Sequence, residues 1–281
     1  ELKKENLHIH TFYSSCAKPS MDIETIVRQA EKAGLRRIAV TDHFNDPDFP
    51  VVEYNEEMRK KVKQLGAKVD VLFGAELSAY GIGKFLDRTE INKALDYRLY
   101  SCNHYHLDYW EHPEDKTPRG YAEHALKVVE ALAKSGRADC VAHPFIGRFV
   151  KIFEDRNLIT NSITDNEIGD ILTILKENNV AYELNAGAVI GYPDFARRIW
   201  NIGKEVGVVF HMGMDAHRPE SVDTADAAEN FKKILLILAV FLMTFLNFNL
   251  GASAEDIFKI NSANFDTSNA FVVLTSQDNS T

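Results

Sequence analysis

Residues Arg37–His43 read Arg-Ile-Ala-Val-Thr-Asp-His, a short apolar run that stops at three polar residues. The apolar part has strand length. The same shape recurs along the chain. Leu7–His10 ends in His8-Ile9-His10, and Val69–Phe73 leads into Gly74-Ala75-Glu76. Tyr97–Ser101 leads into Cys102-Asn103-His104, and Asp139–Ala142 into His143-Pro144. Val180–Leu184 carries Glu183 and meets Asn185, and Val206–His211 precedes Gly213-Met214-Asp215-Ala216-His217. Seven strands are expected.

Between these runs lie stripes with helical period. Ile23, Ile26, Val27, Ala30 and Ala33 form one, entered through Asp22 and closed by Gly34. Tyr121, Ala125, Val128, Val129 and Leu132 form another, closed by Gly136. Ile168, Ile171, Leu172 and Leu175 make a third, and Phe195, Ile199 and Ile202 a fourth. Strands alternating with helices give parallel βαβ units. In a barrel the loops after the strands converge on one rim, whereas an open sheet would spread its polar strand ends along an edge. A barrel with a functional rim is therefore expected. Asp46–Asn55, Leu107–Gly120 and Phe145–Ser162 read as long loops, often functional in a compact domain.

Bulk properties narrow the partners. The chain has 281 residues, 45% of them apolar, so disorder throughout is excluded. The net charge is −9 with no long basic run, which argues against an extended nucleic acid or an anionic membrane as the barrel's partner. A phosphorylated small molecule remains open if metals supply the positive charge. Cys16, Cys102 and Cys140 form no C-x-x-C pair, and so sparse a set fits a reducing, cytoplasmic compartment. The oligomeric state is not legible.

The strand ends supply eight groups suited to metals: His8, His10, His43, Glu76, His104, His143, Asp215 and His217. Residues two apart on a strand share a face, so His8 and His10 can reach one ion. Imidazole with carboxylate suits zinc, iron or manganese, and one carboxylate can bridge two ions. Taken singly, each motif is weak. A lone His in Ala-His-Pro or Thr-Asp-His is by default a hydrogen-bonded structural residue. Eight such residues at the same place in successive βα units are hard to account for as caps. Among the other histidines, His106 is an alternative to His104 or a substrate contact. His112 and His124 read as surface, and His211 as a packed core residue.

The pieces LHIHTFYSSC, AVTDHF, FGAEL, DYRLYSCNH, VAHPF, YELNAG and GMDAH, in this order from Leu7 to His217, resemble the polymerase and histidinol phosphatase (PHP) family, most of all its histidinol-phosphatase-like branch. The resemblance implies a distorted (β/α)7 barrel with two or three divalent ions at the C-terminal rim. It implies that His8, His10, Glu76 and Asp215 hold one ion. Glu76 would bridge to a second on His104 and His143, and His43 and His217 would hold a third. Cys16 stands where relatives often place a further ligand; a small buried loop residue is the rival reading. The implied reaction is attack by a metal-bridging hydroxide on a small phosphomonoester, with Asp215 or His217 moving the proton. Arg148, Arg197, Arg218 and Asn185 are the candidate substrate contacts, against solvated arginines and a capping Asn185. A phosphodiesterase or nuclease on small nucleotides and a non-catalytic module are the alternatives.

Past His217 the pattern changes. Residues 1–230 read as the barrel. Over 231–254, Lys232-Lys233, an apolar run and Ala252-Ser253-Ala254 have the form of a signal peptide, misplaced for one. A fusion is the favoured reading and a last barrel helix the other, and the segment leaves localisation open. Polar interruptions at Thr244, Asn247 and Asn249 speak against a membrane span. Residues 255–281 read as a polar tail with little stable structure. The start at Glu1 rather than Met reads as a processed or trimmed terminus.

Overall fold

The computed structural model describes residues 4–235. Strand β1 (Glu5–Ile9) leads through helix α1 (Ile23–Lys32) to β2 (Arg37–Val40), and α2 (Val51–Leu65) leads to β3 (Asp70–Gly81). A short hairpin strand, β4 (Lys84–Phe85), and α3 (Thr89–Ala94) precede β5 (Tyr97–Ser101). Then come α4 (Pro118–Lys134), β6 (Cys140–Ala142), α5 (Leu158–Asn161), α6 (Asp165–Glu177) and β7 (Ala181–Asn185). Helices α7 (Ala186–Gly191) and α8 (Pro193–Val206) precede β8 (Phe210–Gly213).

The sheet runs β1-β2-β3-β5-β6-β7-β8 with every neighbour parallel, and β4 hangs antiparallel on β3. The seven-strand path curls until its ends meet. His10 N–H donates to the Ala216 carbonyl at 2.9 Å, and Ala216 N–H to the His8 carbonyl at 3.1 Å. Asn6 helps seal the seam: its Oδ1 accepts the Met214 N–H at 3.1 Å and its amide donates to the Val222 carbonyl at 3.0 Å. The fold is the distorted (β/α)7 barrel.

Leu7, Ala39, Tyr97, Leu99, Cys140, Ala142 and Ala181 fill the barrel. Ile9, Ile38, Val40 and Phe73 face outward and pack beneath α1. The β1–β2 register slips between Asn6 and Ile9. This bulge lets Leu7 and His8 both serve the interior before alternation resumes at His10. The helical stripes read from sequence are buried as expected, and Asp22 caps α1 by accepting the Thr25 N–H. Gly34, Gly136 and Gly207 follow α1, α4 and α8 at φ between 69° and 80°, the left-handed stop that glycine accommodates without strain.

The loop expected over Phe145–Ser162 holds the short α5, and that expected over Leu107–Gly120 gives way to α4 at Pro118; three further expectations are corrected. The proposed loop Asp46–Asn55 is cut short because α2 begins at Val51. Its buried side is only Val51, Asn55 and Met58, and Asn55 donates to the Gly74 carbonyl at 3.0 Å. A polar residue at a core position hid the helical period. The last strand begins at Phe210 rather than Val206, since α8 holds Val206 and Val209 is exposed. His124 is buried, not on the surface. It lies three residues after Tyr121 on the inward face of α4, and its Nδ1 is 3.0 Å from the Tyr105 hydroxyl. His112 is exposed as expected, and half-buried His211 hydrogen-bonds the Tyr97 hydroxyl at 2.9 Å.

Residues 225–235 are helical, with Ala227, Phe231 and Leu235 turned inward. The rest of the apolar segment and the polar tail lie outside the described residues. Among the described residues no helix is long and apolar enough to cross a membrane.

Candidate metal centre

The C-terminal strand ends bring the eight expected residues into one cluster. Glu76 is its hub. β3 runs on past the end of β2, so Glu76 stands beside His43 in an isolated parallel bridge. Its two oxygens face different imidazoles. Oε1 is 3.2 Å from His143 Nε2 and 3.5 Å from His104 Nε2. Oε2 is 2.6 Å from His43 Nδ1, 3.7 Å from His8 Nε2 and 3.8 Å from His10 Nε2. Asp215 Oδ1 lies 3.1 Å from His10 Nε2 and 3.5 Å from His8 Nε2. His10, His43 and His217 converge as a further group whose ligand atoms lie within 4.8 Å of one another.

The outer nitrogens of the rings are held by oxygen. His8 Nδ1 is 2.7 Å from Glu183 Oε1, His143 Nδ1 is 3.2 Å from Asn103 Oδ1, and His217 Nδ1 is 2.7 Å from the Asp215 carbonyl. His10 Nδ1 is 3.3 Å from Ser14 Oγ, which donates to Asp42 at 2.6 Å and so can accept from the ring. Each such contact favours a proton on Nδ1 and leaves the Nε2 lone pair facing inward, the arrangement metal-ligating histidines use.

Burial alone would raise the Glu76 pKa, but His43 and His104 lead the contacts that hold it well below the usual carboxylate range. Burial, with His43 close by, pushes His10 down to about 3. Burial also carries His104 well below its ordinary value despite Glu76. These two imidazoles are neutral, whereas, against burial, Glu183 and Asp215 raise His8, Glu76 raises His43 to about 10 and Cys16 raises His217, so an ion binding at those three would displace protons. Partial burial would raise exposed Cys16, yet contacts with His217 and His43 bring its thiol down to about 6. His143 and Asp215 have φ of 30° and 52°, which side-chain-bearing residues seldom adopt and which cluster at functional sites.

Whether cations fit can be judged from Glu76 itself. Both its oxygens are buried, and the imidazoles around them, His43 at 2.6 Å and His143 at 3.2 Å among them, meet them off hydrogen-bond alignment. A buried carboxylate without well-aligned donors is costly, and a divalent cation between it and the imidazoles would reduce that cost. The donor set fits zinc, iron or manganese.

A family model described as PHP domain matches residues 6–187, about two thirds of the chain. The chain belongs to the PHP domain family. The match takes in every candidate ligand except Asp215 and His217. The "Probable histidinol-phosphatase" of Thermotoga maritima is 26% identical over 232 residues, covering 77% of this chain and 85% of that protein. A "Probable phosphatase" of Aliivibrio fischeri is 29% identical over 231 residues, covering 79% and 81%. Among solved structures, the histidinol phosphate phosphatase of Lactococcus lactis, complexed with zinc, L-histidinol and phosphate, superposes with TM-score 0.58 at 18% identity. That superposition covers 83% of this chain and 94% of the other. It shows that the two share the fold.

The candidate substrate residues of this PHP domain divide. Exposed Arg148 lies over the Phe149 ring at 5.3 Å, and that ring packs on His104 at 4.8 Å and His143 at 6.0 Å. Exposed Arg218 follows His217 and lies 3.9 Å from Glu220. Arg197 pairs with Asp194 on the same turn of α8. Asn185 caps α7, accepting the Ala188 N–H at 3.0 Å. His106 is not brought into the ligand cluster; it stacks on Phe149 at 4.8 Å.

Sequence reasoning gave no role to Ser14, Asp42, Asn103, Phe149 or Glu183. For Glu183 and Asp42 a signal existed, since both stand at strand ends as the ligands do. For Ser14, Asn103 and Phe149 the loop conformation decides, and no spacing rule exposes it.

Proposed function

We propose that the protein is a metal-dependent phosphoesterase whose centre holds two or three divalent ions and whose substrate is a small phosphomonoester of the histidinol phosphate kind. The observation that carries this reading is Glu76, buried, without a well-aligned donor, and facing His104 and His143 with one oxygen and His8, His10 and His43 with the other. His8, His10, Glu76 and Asp215 would hold one ion, Glu76, His104 and His143 a second, and His43, His217 and Cys16 a third. Bound ions would supply Lewis acidity, lowering the pKa of water and offsetting phosphate charge. The family and the phosphatases among its relatives support a hydrolase. The small-substrate reading follows the Lactococcus protein, whose structure contains L-histidinol and phosphate.

The protein's own groups would do the rest. Arg148, beside the Phe149 ring that packs on His104 and His143, would meet a phosphate oxygen, and exposed Arg218, next to His217, is the second candidate. Asp215 or His217 would carry the proton to or from the leaving oxygen. Arg197 and Asn185, engaged by Asp194 and by the α7 cap, are the weaker candidates.

The test is a panel of histidinol phosphate, p-nitrophenyl phosphate and a bis-ester offered to metal-replete protein, with elemental analysis alongside. Monoester turnover is expected, falling at least roughly 1,000-fold in His10→Ala and Glu76→Ala, equivalent to about 4 kcal/mol of transition-state stabilisation. Cleavage of the bis-ester alone would replace this reading with a phosphodiesterase. No turnover of any ester by metal-loaded protein would leave a non-catalytic module.

A further inference from the structure

Glu183 stands near the end of β7 with 3% of its surface exposed. Its two oxygens serve opposite sides of the centre. Oε1 lies 2.7 Å from His8 Nδ1, and Asn185 Nδ2 approaches the same oxygen at 3.4 Å. Oε2 accepts the backbone N–H of His143 at 2.6 Å. His8 belongs with Oε2 of Glu76, and His143 with Oε1. The two rings stack with centroids 5.7 Å apart.

Both contacts act on geometry a ligand needs. On His8, Glu183 takes the Nδ1 proton in a hydrogen bond, so the Nε2 lone pair points toward Glu76 and Asp215. On His143 it grips the main chain where φ is 30°, a conformation that persists only when its surroundings impose it. The neighbouring strand makes room for this clamp. Gly213 pairs with Asn185 in the sheet, and a Cβ there would stand 1.9 Å from Glu183 Oε1 and 2.9 Å from His8 Cβ. Glycine is needed at 213 for clearance.

We propose that Glu183 is a positioning residue coupling the two halves of the metal centre, one carboxylate setting both the ring of His8 and the backbone of His143. Metal affinity on either side of Glu76 then depends on a group that touches neither ion. Glu183 also forms a possible ligand group with His8 and His143, but it meets the outer Nδ1 of His8 and donors occupy both its oxygens, which favours positioning over ligation. The inference rests on the metal-centre reading given under Proposed function.

The test measures binding of Zn2+ and of Mn2+ to the full chain without substrate, by competition with a chromophoric chelator. Metal-free protein is melted in parallel. In Glu183→Gln the amide nitrogen cannot accept, so one of the two contacts is lost and affinity should fall roughly 10- to 100-fold, the usual range for such outer partners. Glu183→Ala loses both contacts and should weaken binding further. The Gln variant carries the test if the Ala variant does not fold. Variants that melt lower without metal yet bind it as tightly as wild type would overturn the proposal, making Glu183 a packing residue only. Wild type that binds neither ion would overturn the metal-centre reading and this inference together, so the two failures are distinguishable.

Discussion

At His10 the ring is held from both ends, and the outer end is the more informative. Its Nδ1 faces Ser14 Oγ, and Ser14 in turn donates to Asp42, which also accepts from the Thr11 N–H and hydroxyl at 2.8 and 2.6 Å. Ser14→Ala removes the relay but no ligand. Metal affinity should fall about 10-fold, and stability by roughly 1–3 kcal/mol because buried Asp42 loses a donor. Chelator competition and a denaturant melt check the two effects, and unchanged metal affinity would make Ser14 a structural residue alone. Cys16 permits a sharper chemical test. Its thiol, at about 6, is largely thiolate at neutral pH, and thiolate is the reactive form. Iodoacetamide should label Cys16 ahead of buried Cys102 and Cys140, and saturating zinc should slow that labelling at least about tenfold. Labelling at the same rate with and without zinc would remove Cys16 from the third ion's shell. The inward-facing residues were legible because each stands at or within a few residues of the end of an apolar run, and the end of a barrel strand delivers such a side chain to the rim. Their outer partners were not, because Ser14 meets His10 only through the conformation of the loop after β1.

Among the elements, legibility followed the purity of the apolar stripe. Helices α1, α4 and α6 carry four or more buried apolar residues in helical period and a cap at the start, and all were expected. Helix α2 hides its period behind Asn55, and α3 buries only Asn92. The cap of α6 is also where a pH effect can be assigned. Thr164 and Glu167 form a reciprocal capping box, and Arg119 of α4 donates to the two Glu167 oxygens at 2.5 and 2.9 Å. Those Arg119 bonds first, then Thr164, against slight burial, lower the Glu167 pKa from 4.5 to about 2. A carboxylate lowered in the folded state adds stability above its unfolded pKa and loses it as pH falls through the folded value. The melting temperature of wild type should therefore exceed that of Glu167→Gln by a constant amount above pH 4.5, and the gap should close as pH approaches about 2. A gap that holds constant down to that pH would show that charge on Glu167 contributes nothing to the junction of α4 and α6.

For the molecule as a whole, the centre is a seam as well as a site. Asp215, Ala216 and His217 follow β8, and they meet His8 of β1 and His10 just past its end where the sheet has only an isolated bridge, between Ile9 and Ala216. An ion held by His8, His10 and Asp215 would tie the first strand to the last at the point where the ladder is thinnest. Closure of the barrel was legible from the polar strand ends, since convergence on one rim was the only economical use for them. The weak closure between β8 and β1 was not, because it depends on the bulge at Leu7–His8 and on the side chain of Asn6. Removing metal should accordingly cost global stability. A ligand at about 100 times its Kd that binds only the folded state adds about 2.7 kcal/mol per site. For a domain of this size each kcal/mol moves the melting temperature by about 2–4 °C. Chelation should then lower it by roughly 5–11 °C per ion lost, and zinc should restore it. His10→Ala should show a lower starting temperature and a smaller response to chelator, because it removes a proposed ligand from the seam. If wild type melted at one temperature with chelator and with excess zinc, the ions would not bridge the first and last strands, and closure would rest on the backbone and Asn6 alone.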